Sequence, residues 1–530
     1  MQEHKWLRKK GYLHITPQID VDGHRCELLA KLRNKNFIAQ YAFYPLIHAA
    51  INERKYKRIP HSFDRAHSYI LGEKYFRTAK SRPLHYATHM DALIFGYYAE
   101  QLNDKYEERL RLYPELSDCI IAYRKIPSGI PEKNKGTMHF AKDVFKEIEC
   151  RSLSDACSVL MFDIKSFFSA LNHEILEKTW ADLISKEELP PDHKNVFNAT
   201  TMFSYILLDD LRIDQDKKGR KSGFDERRLH EIRKEGKFAF FSSPKEFRNK
   251  IKSKELKIFR FPFWDKKRNI PVGIPQGLPI SAILANMYFL NFDIEIMHEV
   301  IKRLRGFYRR YSDDILIICK PEQVEEIKKL VGDAIEKSLV KISTEKTEEY
   351  LFKYYSASVS KKRLTSIKIW PDKSLNNQVE NQRYACCQIG APLTYLGFEF
   401  YGYQTLIKSS NLSKFYRRMI KSVKSRAKRA KKIKERNPEA HLAIFKNQLY
   451  KIYTLQDLTK TKIKIKSKKL IKQEMGNFVL KSTSNKAPLR SNYLSYVKNV
   501  SRIMEEGKIE RQIRKHQEVF KQAMYKHLRP

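Results

Sequence analysis

The sequence predicts an α+β fold in which helices cover one face of a sheet. Short apolar runs are typical of buried strands, and longer segments with apolar residues recurring every three or four positions are typical of helices. Together they resemble a split β-α-β arrangement. The strand-like segments are 158–164, 307–311 and 315–320, and the helical ones are 173–185, 280–300 and 321–337.

The charge of the chain indicates a polyanionic partner. Its 530 residues include 103 Lys and Arg against 61 Asp and Glu, a formal net charge of +42. A protein this basic repels itself unless it meets a polyanion, so nucleic acid is the first candidate partner and an anionic membrane surface the second. Hydrophobic residues make up 42% of the chain, which excludes wholesale disorder.

The composition also bears on location. The richest apolar run, 283–292, stops at Asp293 and falls short of the roughly 18 residues that span a membrane. The first residues lack the apolar core of a secretion signal. The seven cysteines are odd in number and lack CxxC spacing, which argues against disulfides and structural zinc. We therefore expect a cytoplasmic protein without a membrane partner.

Much of the positive charge lies in the last quarter of the chain. Residues 401–530 contain 34 Lys and Arg and 8 Asp and Glu. Segment 421–436 lacks Gly and Pro and is followed by Asn437-Pro438, which predicts a helix ending there. A helix that is basic nearly all round should lie along phosphates; a solvated face or a partly disordered tail is the alternative. The residues expected to bind nucleic acid are Lys421, Lys424, Arg426, Lys428 and Arg429.

Three separated carboxylates carry the main chemical signal. Asp163 ends the first apolar strand, and Asp313 and Asp314 occupy the turn of the predicted hairpin. A carboxylate at a buried strand end is costly unless it is paired or binds a metal. Two strands of one sheet can bring Asp163 beside Asp313, and two Mg²⁺ ions about 4 Å apart would suit in-line nucleotidyl transfer. An Asp-Asp turn is more often a surface hairpin, but its flanks are too apolar and regular for a solvated loop.

The segments around these carboxylates resemble reverse transcriptases. FDIKSFFSALNH, GIPQGLPIS, RRYSDDILIIC, ISTEKT and LTYLGFEF stand in the order of palm motifs A to E of that family. The resemblance covers about 121–403 and implies a right-hand polymerase with a ferredoxin-like, antiparallel palm. The implied regions are an N-terminal helical extension at 1–100, fingers at 101–157, a palm at 158–403 with an insertion at about 195–257, and a helical basic thumb and C-terminal region at 404–530.

The resemblance implies the roles of the catalytic residues. Asp163, the adjacent Ile164, Asp313 and Asp314 form the expected metal-binding set, with two Mg²⁺ ions as the cofactor. Lys346 resembles the motif-D lysine, an acid for the departing pyrophosphate. This assignment rests on motif order, because the chain is rich in lysine.

The resemblance also assigns residues to the nucleotide and the primer. Phe168 resembles the steric gate that excludes a ribose 2′-hydroxyl, with a plain core aromatic as the alternative. Gln276 and Gly277 resemble the segment on the nucleotide and template side, although this glycine could merely break a strand before a helix. Leu396 and Gly397 resemble the primer-grip turn.

A basic segment before the palm is the expected triphosphate site. AYRKIPSGIPEKNKGTMHFA, at 122–141, resembles the strand-loop-strand of polymerase fingers. Because a triphosphate needs fixed cationic donors, we expect Arg124 and Lys135 to bind the dNTP. Lys125, Lys133 and Lys142 compete with them.

The N-terminal stretch SRPLHYATHMDALIFGYYAEQL and the basic C-terminal region resemble those of the bacterial defence-associated (unknown group) reverse transcriptases. That resemblance implies RNA-directed DNA synthesis in antiviral defence, with a noncoding RNA as template or scaffold, dNTPs as substrates, a DNA product and a possible homo-oligomer. The alternatives are a retron or group II intron-derived reverse transcriptase and a catalytically idle RNA-binding scaffold. RNA-dependent RNA polymerase is a weaker rival, because a bulky Phe168 should disfavour ribonucleotides.

Overall fold

The computed structural model describes residues 4–53, 57–59, 64–131, 133–213, 223–343, 346–358, 361–370, 387–439, 446–454, 462–473, 476–488 and 491–528. Helices and strands are interspersed along these ranges, which confirms the α+β class. Within them, no helix is both long enough and apolar enough to cross a membrane.

The first hundred residues contain a sheet and are not the helical extension that the sequence predicts. The elements are α1 (Arg25–Arg33), α2 (Lys35–Ala39), β1 (Leu46–Glu53), β2 (Lys57–Arg58), β3 (Arg65–Ala66), β4 (Ser68–Leu71), β5 (Lys74–Arg77) and β6 (Lys80–Tyr86). β1 and β6 pair antiparallel from Ile47–Tyr86 to Glu53–Lys80. β2 to β5 have only two to four residues each, and β1 and β6 lack a regular polar-apolar alternation, so pairing between distant segments decides their conformation.

Three helices follow, namely α3 (His89–Arg111), α4 (Pro114–Cys119) and α5 (Thr137–Ser154). The Thr88 side chain accepts a hydrogen bond from the Asp91 backbone and so caps the start of α3. Leu102, Tyr106 and Leu110 recur every four residues along α3 and are fully buried. This stripe anchors α3 in the larger of the hydrophobic cores.

The middle of the chain contains the elements that the sequence predicts most clearly. They are β7 (Cys157–Asp163), α6 (Phe167–Ala170), α7 (His173–Leu183), α8 (Pro191–Thr201), β8 (Ser204–Leu207), α9 (Glu226–Lys234), α10 (Pro244–Lys252), β9 (Phe259–Arg260), β10 (Trp264–Asp265), β11 (Ile270–Pro271), α11 (Ser281–Tyr288), α12 (Leu290–Ile296), β12 (Phe307–Tyr311), β13 (Asp314–Cys319), α13 (Val324–Lys337), β14 (Glu348–Ser358), β15 (Lys361–Ile369) and β16 (Cys387–Ile389). The predicted strand and hairpin are confirmed. The single helix predicted at 280–300 is divided into α11, α12 and a π-helical turn at Met297–Arg303.

Six of these strands form one antiparallel sheet in the order β12-β13-β7-β14-β15-β16. β7 lies inside the sheet, and its side chains alternate between two cores. Leu160 and Phe162 belong to the larger core, whereas Val159 packs in a second core with Val144 of α5. Burial on both faces explains why β7 reads as a nearly continuous apolar run.

The stretch expected to be an insertion completes the N-terminal sheet. β8 pairs parallel with β1, with Leu46 opposite Tyr205, and antiparallel with β9. The resulting order is β6-β1-β8-β9. The most polar part of this stretch, 214–222, lies outside the described residues.

The C-terminal region is helical in part. Its elements are β17 (Leu393–Tyr395), β18 (Phe398–Phe400), β19 (Thr405–Ile407), α14 (Ser409–Arg436), α15 (Lys446–Tyr453), β20 (Lys462–Lys472), β21 (Phe478–Pro488), α16 (Tyr493–Met504), α17 (Lys508–Arg511) and α18 (His516–Leu528). The long antiparallel hairpin β20–β21 departs from the helical expectation. Its first strand alternates Lys with Ile, a period of two that suits a strand.

The predicted basic helix is the C-terminal part of α14 and ends before Asn437, as expected. It is not basic all round. Phe415, Met419, Val423, Ala427 and Ala430 form a buried stripe along it. The cationic side chains therefore occupy the remaining surface of an amphipathic helix.

Candidate active site

The sheet brings the three carboxylates together at one end of two neighbouring strands. Asp163, the last residue of β7, stands directly opposite Asp314, the first residue of β13. The Ile164 backbone N–H donates to the Asp313 carbonyl at 3.2 Å. Opposite residues of an antiparallel pair have Cβ atoms about 5 Å apart, so these carboxylates share one small region.

The tight turn before β13 depends on the backbone of one residue. Tyr311 and Asp314 pair across the hairpin, and Ser312 between them has φ of 61°. A buried ion pair stabilises this turn. Arg310 donates to Asp293 at 2.7 and 2.5 Å, both side chains are fully buried, and Arg310 also donates to the Ser312 carbonyl at 3.2 Å.

Burial and mutual repulsion perturb two of the carboxylates. Burial and then the charges of Asp313 and Asp163 raise the pKa of Asp314 to about 6. Burial, together with the charge of Asp163, also raises the pKa of Asp313. A cation placed among these groups would relieve the repulsion, and hard carboxylate oxygens are the ligands that Mg²⁺ prefers.

The chemistry of the donor set therefore fits a divalent cation, although the side chains are not arranged as a closed metal cage. Across the described ranges, no group of three or more His, Cys, Asp or Glu side chains is positioned to hold a metal ion. The Lys346 ammonium pairs with the Asp163 carboxylate and is itself 55% exposed. The Ile164 side chain is buried, so only its backbone carbonyl could contribute a ligand.

A cavity of about 750 Å³ opens beside these strand ends. Most of the residues that the sequence assigns to the site line it, namely Ile164, Phe168, Gln276, Gly277, Asp313, Asp314 and Lys346. Asp163 adjoins it through its contact with Lys346. The structure thus gathers residues from four separate motifs around one space large enough for a nucleotide.

We call this space the catalytic cavity after its expected role. Backbone contacts between distant segments build part of its lining. Phe168 is half-buried, packs against Phe167, and accepts a hydrogen bond at its carbonyl from the Ile274 N–H at 2.7 Å. Gln276 accepts one from the His85 N–H of β6 at 2.8 Å. Gly277 has φ of 112°, and a Cβ there would lie 2.6 Å from the His85 carbonyl oxygen, so this turn requires glycine.

Arg124 and Lys135 do not line this cavity. Arg124 is 5% exposed and donates two hydrogen bonds to Glu107, at 2.8 and 2.7 Å. Its remaining donors contact the Ser117 side chain and the carbonyls of residues 117 and 120. Lys135 pairs with Asp143 at 2.8 Å. Because neither cation lines the cavity, neither is placed to meet a phosphate there.

Other cations, which the sequence analysis missed, line the catalytic cavity. Lys80 and Arg82 come from β6, and Lys165 follows the Asp163 strand end. Residues two apart on a strand share a face, so the spacing of Lys80 and Arg82 in KSRPLHY was a usable signal. Tyr123 also lines the cavity, and its hydroxyl lies 3.1 Å from the Ser312 hydroxyl.

The remaining assigned residues lie in the turn between β17 and β18 and on α14. Leu396 and Gly397, with φ of 44° and 94°, form the turn between β17 and β18. The Gly397 carbonyl accepts from the Lys408 N–H at 3.0 Å, which ties this turn to the start of α14. Further along α14, Lys421, Lys424, Lys428 and Arg429 are exposed, and Arg426 is half-buried.

Comparison with family models finds a reverse transcriptase domain. A family model described as reverse transcriptase (RNA-dependent DNA polymerase) matches residues 220–400, about a third of the chain. The match includes Asp313, Asp314 and the 273–281 turn but begins after Asp163. The chain therefore contains a reverse transcriptase domain. No similar sequence was found among curated proteins.

Comparison with solved structures finds telomerases. The telomerase from Candida albicans in complex with a TWJ fragment of telomeric RNA is 9% identical, with a TM-score of 0.33, and the alignment covers 94% of this chain and 65% of that one. Apo telomerase from Candida tropicalis, truncated from its C-terminal domain, is 10% identical, with a TM-score of 0.32 and coverages of 63% and 53%. This chain thus spans about half to two thirds of the telomerases that it matches.

Proposed function

We propose that this protein is a reverse transcriptase that adds dNTPs to a 3′ end, of DNA or of a protein or RNA primer, by two-metal nucleotidyl transfer on an RNA template. One observation carries the proposal: Asp163 and Asp314 stand opposite each other beside the cavity that the reverse transcriptase domain lines. A purely structural hairpin does not require three carboxylates at one sheet end, because their repulsion destabilises the fold.

Asp163, Asp313, Asp314 and the carbonyl of Ile164 would hold the two Mg²⁺ ions. Bound there, the ions would lower the pKa of the attacking hydroxyl and neutralise the leaving pyrophosphate. The Lys346 ammonium lies beside Asp163, where its Nζ can supply a proton to the departing pyrophosphate.

The cations of the catalytic cavity would bind and orient the nucleotide. Lys80, Arg82 and Lys165 offer donors to a triphosphate and would serve the role that the sequence predicts for Arg124 and Lys135. The Phe168 ring lines the same cavity and would exclude a 2′-hydroxyl, and Gln276 and Gly277 line it as well.

The C-terminal region would hold the primer and the product. The turn at Leu396–Gly397 is tied to the start of α14, whose exposed cations suit a phosphate backbone. Contacts of this kind do not depend on base sequence, as a polymerase requires. In this proposal 158–403 acts as the palm and 404–530 as the thumb and C-terminal region.

Bacterial antiviral defence in the cytoplasm, with an associated noncoding RNA, is the biological role that the sequence resemblance favours. Purifying the protein from its native locus and sequencing the nucleic acids bound to it tests this role. A noncoding RNA encoded alongside would support it. A branched msDNA precursor or a self-splicing intron would instead indicate a retron or an intron-derived enzyme.

Incorporation of dNTPs on a primed RNA template with Mg²⁺ tests the chemistry. We expect the double substitution Asp313→Ala and Asp314→Ala to abolish it while leaving RNA binding through α14 intact. If the double variant polymerised as well as the parent, the two-metal assignment would be wrong. A parent protein that binds RNA but never incorporates dNTPs would favour the idle scaffold.

A further inference from the structure

A second cavity, of about 580 Å³, lies between the first half of α14 and the start of α16. We call it the α14 cavity. It is separate from the catalytic cavity, and none of the motif residues lines it. Its main lining residues are Lys414, Phe415, Arg418, Tyr453, Tyr493 and Tyr496.

The walls of the α14 cavity are aromatic. The rings of Phe415 and Tyr493 are stacked, with centroids 4.4 Å apart and planes 20° apart, and Tyr496 lies 5.9 Å from Tyr493. Flat stacked rings beside an open space of this size suit another flat ring. Tyr453 of α15 also lines the cavity, with its ring centroid 5.9 Å from that of Phe415, and its hydroxyl and that of Ser422 form a 2.9 Å hydrogen bond.

One wall residue has an unused hydrogen-bond donor. The Tyr493 hydroxyl is buried and has no hydrogen-bond partner among the described residues. Burial, with the nearby Tyr496 and Tyr416, raises the pKa of Tyr493 to about 12, so the phenol keeps its proton. A buried donor without a partner is costly, and a ligand with an acceptor at its edge would satisfy it.

The rim of the α14 cavity is cationic. Lys414 is about half exposed, Arg418 is exposed, and the spacing from 414 through 418 to 421 places Lys421 on the same helix face. Lys414 pairs with Glu53 at 2.9 Å, and Glu53 also lies 4.0 Å from Arg82 of the catalytic cavity. The rim is therefore adjacent to the catalytic cavity and leads onto the basic face of α14.

We propose that the α14 cavity binds one unpaired base of a nucleic-acid strand. The base would stack within the aromatic walls and accept a hydrogen bond from Tyr493, and the flanking phosphates would lie on Lys414 and Arg418. Aromatic stacking with a cationic track is how proteins hold single-stranded nucleic acid without reading its sequence. This binding site adds to the proposed polymerase function and does not depend on catalysis.

Binding of defined oligonucleotides to the full-length chain, without dNTPs or divalent cations, tests the proposal. The probes are a fluorescein-labelled blunt duplex and the same duplex with a short single-stranded overhang carrying 2-aminopurine, made once in RNA and once in DNA. We expect at least one overhang to bind about tenfold more tightly than the blunt duplex, with quenching of 2-aminopurine as it stacks. The overhang, RNA or DNA, that gives the larger gain in affinity over its blunt duplex identifies which nucleic acid the cavity prefers.

Neighbouring arginines provide a matched control. Arg417 and Arg418 are both exposed on α14, but only Arg418 lines the cavity. Arg418→Glu and Tyr496→Ala should remove most of the overhang advantage, Tyr493→Phe should reduce it a few-fold, and Arg417→Glu should retain it. Thermal melting identifies any variant that fails to fold, and Arg418→Glu, at an exposed site, keeps the test decisive if Tyr496→Ala is unstable.

Three results would overturn the proposal. The first is equal affinity for blunt and overhang probes in the parent. The second is an overhang advantage that survives both Arg418→Glu and Tyr496→Ala. The third is an equal loss with Arg417→Glu, which would show that general charge along α14, and not the cavity, holds the strand.

Discussion

Asp163 and Asp314 occupy directly opposite positions on two neighbouring antiparallel strands, at the end where both strands meet the catalytic cavity. Like charges in that position oppose folding. The raised pKa values of Asp313 and Asp314 reflect that repulsion, with burial as the larger cause. The strand ends thus carry an electrostatic strain that a bound cation would remove.

Magnesium should therefore stabilise the folded protein. We expect Mg²⁺ to raise the Tm in a thermal unfolding experiment, by an amount equivalent to about 2.7 kcal/mol at a hundred times its Kd. Asp314→Asn should remove most of this increment because it deletes a ligand and relieves the repulsion.

A matched control is Asp333→Asn, at an exposed position on α13. This variant should keep the full response to Mg²⁺. An equal increment in the parent and in Asp314→Asn would show that the ion binds elsewhere.

Phe168 should determine the choice of sugar. Its ring lines the catalytic cavity and its backbone is fixed by the hydrogen bond from Ile274. Phe168→Ala removes the bulk that a 2′-hydroxyl would meet, so we expect discrimination against NTPs to fall about tenfold or more. The ratio of kcat/KM for dNTP and NTP on the same primed template measures it. Phe167→Leu, at the buried neighbouring position, should leave that ratio unchanged.

Substitution of Arg82 should change the KM for dNTP, whereas substitution of Arg124 should change the stability of the fold. Arg82 is exposed and lines the catalytic cavity, so Arg82→Ala should raise the KM for dNTP about tenfold and leave the free energy of unfolding nearly unchanged. Arg124 is buried against Glu107, so Arg124→Ala should lower the stability by about 3–5 kcal/mol.

Steady-state kinetics and urea unfolding of the two variants separate these roles. A KM effect confined to Arg124→Ala would restore the triphosphate role that the sequence predicts for it.

The catalytic strand ends were predictable because their signals are local. The run of buried residues in β7 and the paired apolar flanks of Asp313–Asp314 each predict a strand, and motif order predicts that the strands are neighbours. The sequence places Asp163 beside Asp313, whereas the register of the two strands sets it opposite Asp314. Burial on both faces removes the polar-apolar alternation that would have specified the register in advance.

The N-terminal sheet and the role of Arg124 were not predictable in the same way. β1 pairs with β8 across more than a hundred and fifty residues of chain, and neither strand has a clear period of its own. Arg124 has the charge that a triphosphate needs, but it is paired with Glu107 of α3. Tertiary contacts, which the sequence does not show, decide whether a cation binds a ligand or pairs with a carboxylate.

Arg310 should position the catalytic turn as well as stabilise the core. Arg310→Met leaves the buried Asp293 carboxylate unpaired and should cost about 3–5 kcal/mol in urea unfolding. Adding Asp293→Asn removes that charge and keeps an oxygen to accept the hydrogen bond from Tyr308, so most of the stability should return.

The polymerase activity of this double variant should not recover together with its stability. Both variants lose the hydrogen bond from Arg310 to the Ser312 carbonyl, and Ser312 adjoins Asp313 in a turn with positive φ. We therefore expect kcat to stay about tenfold low in the stable double variant, with the KM for dNTP little changed. If stability and kcat recovered together, Arg310 would be a structural residue only, and the catalytic turn would hold its shape without it.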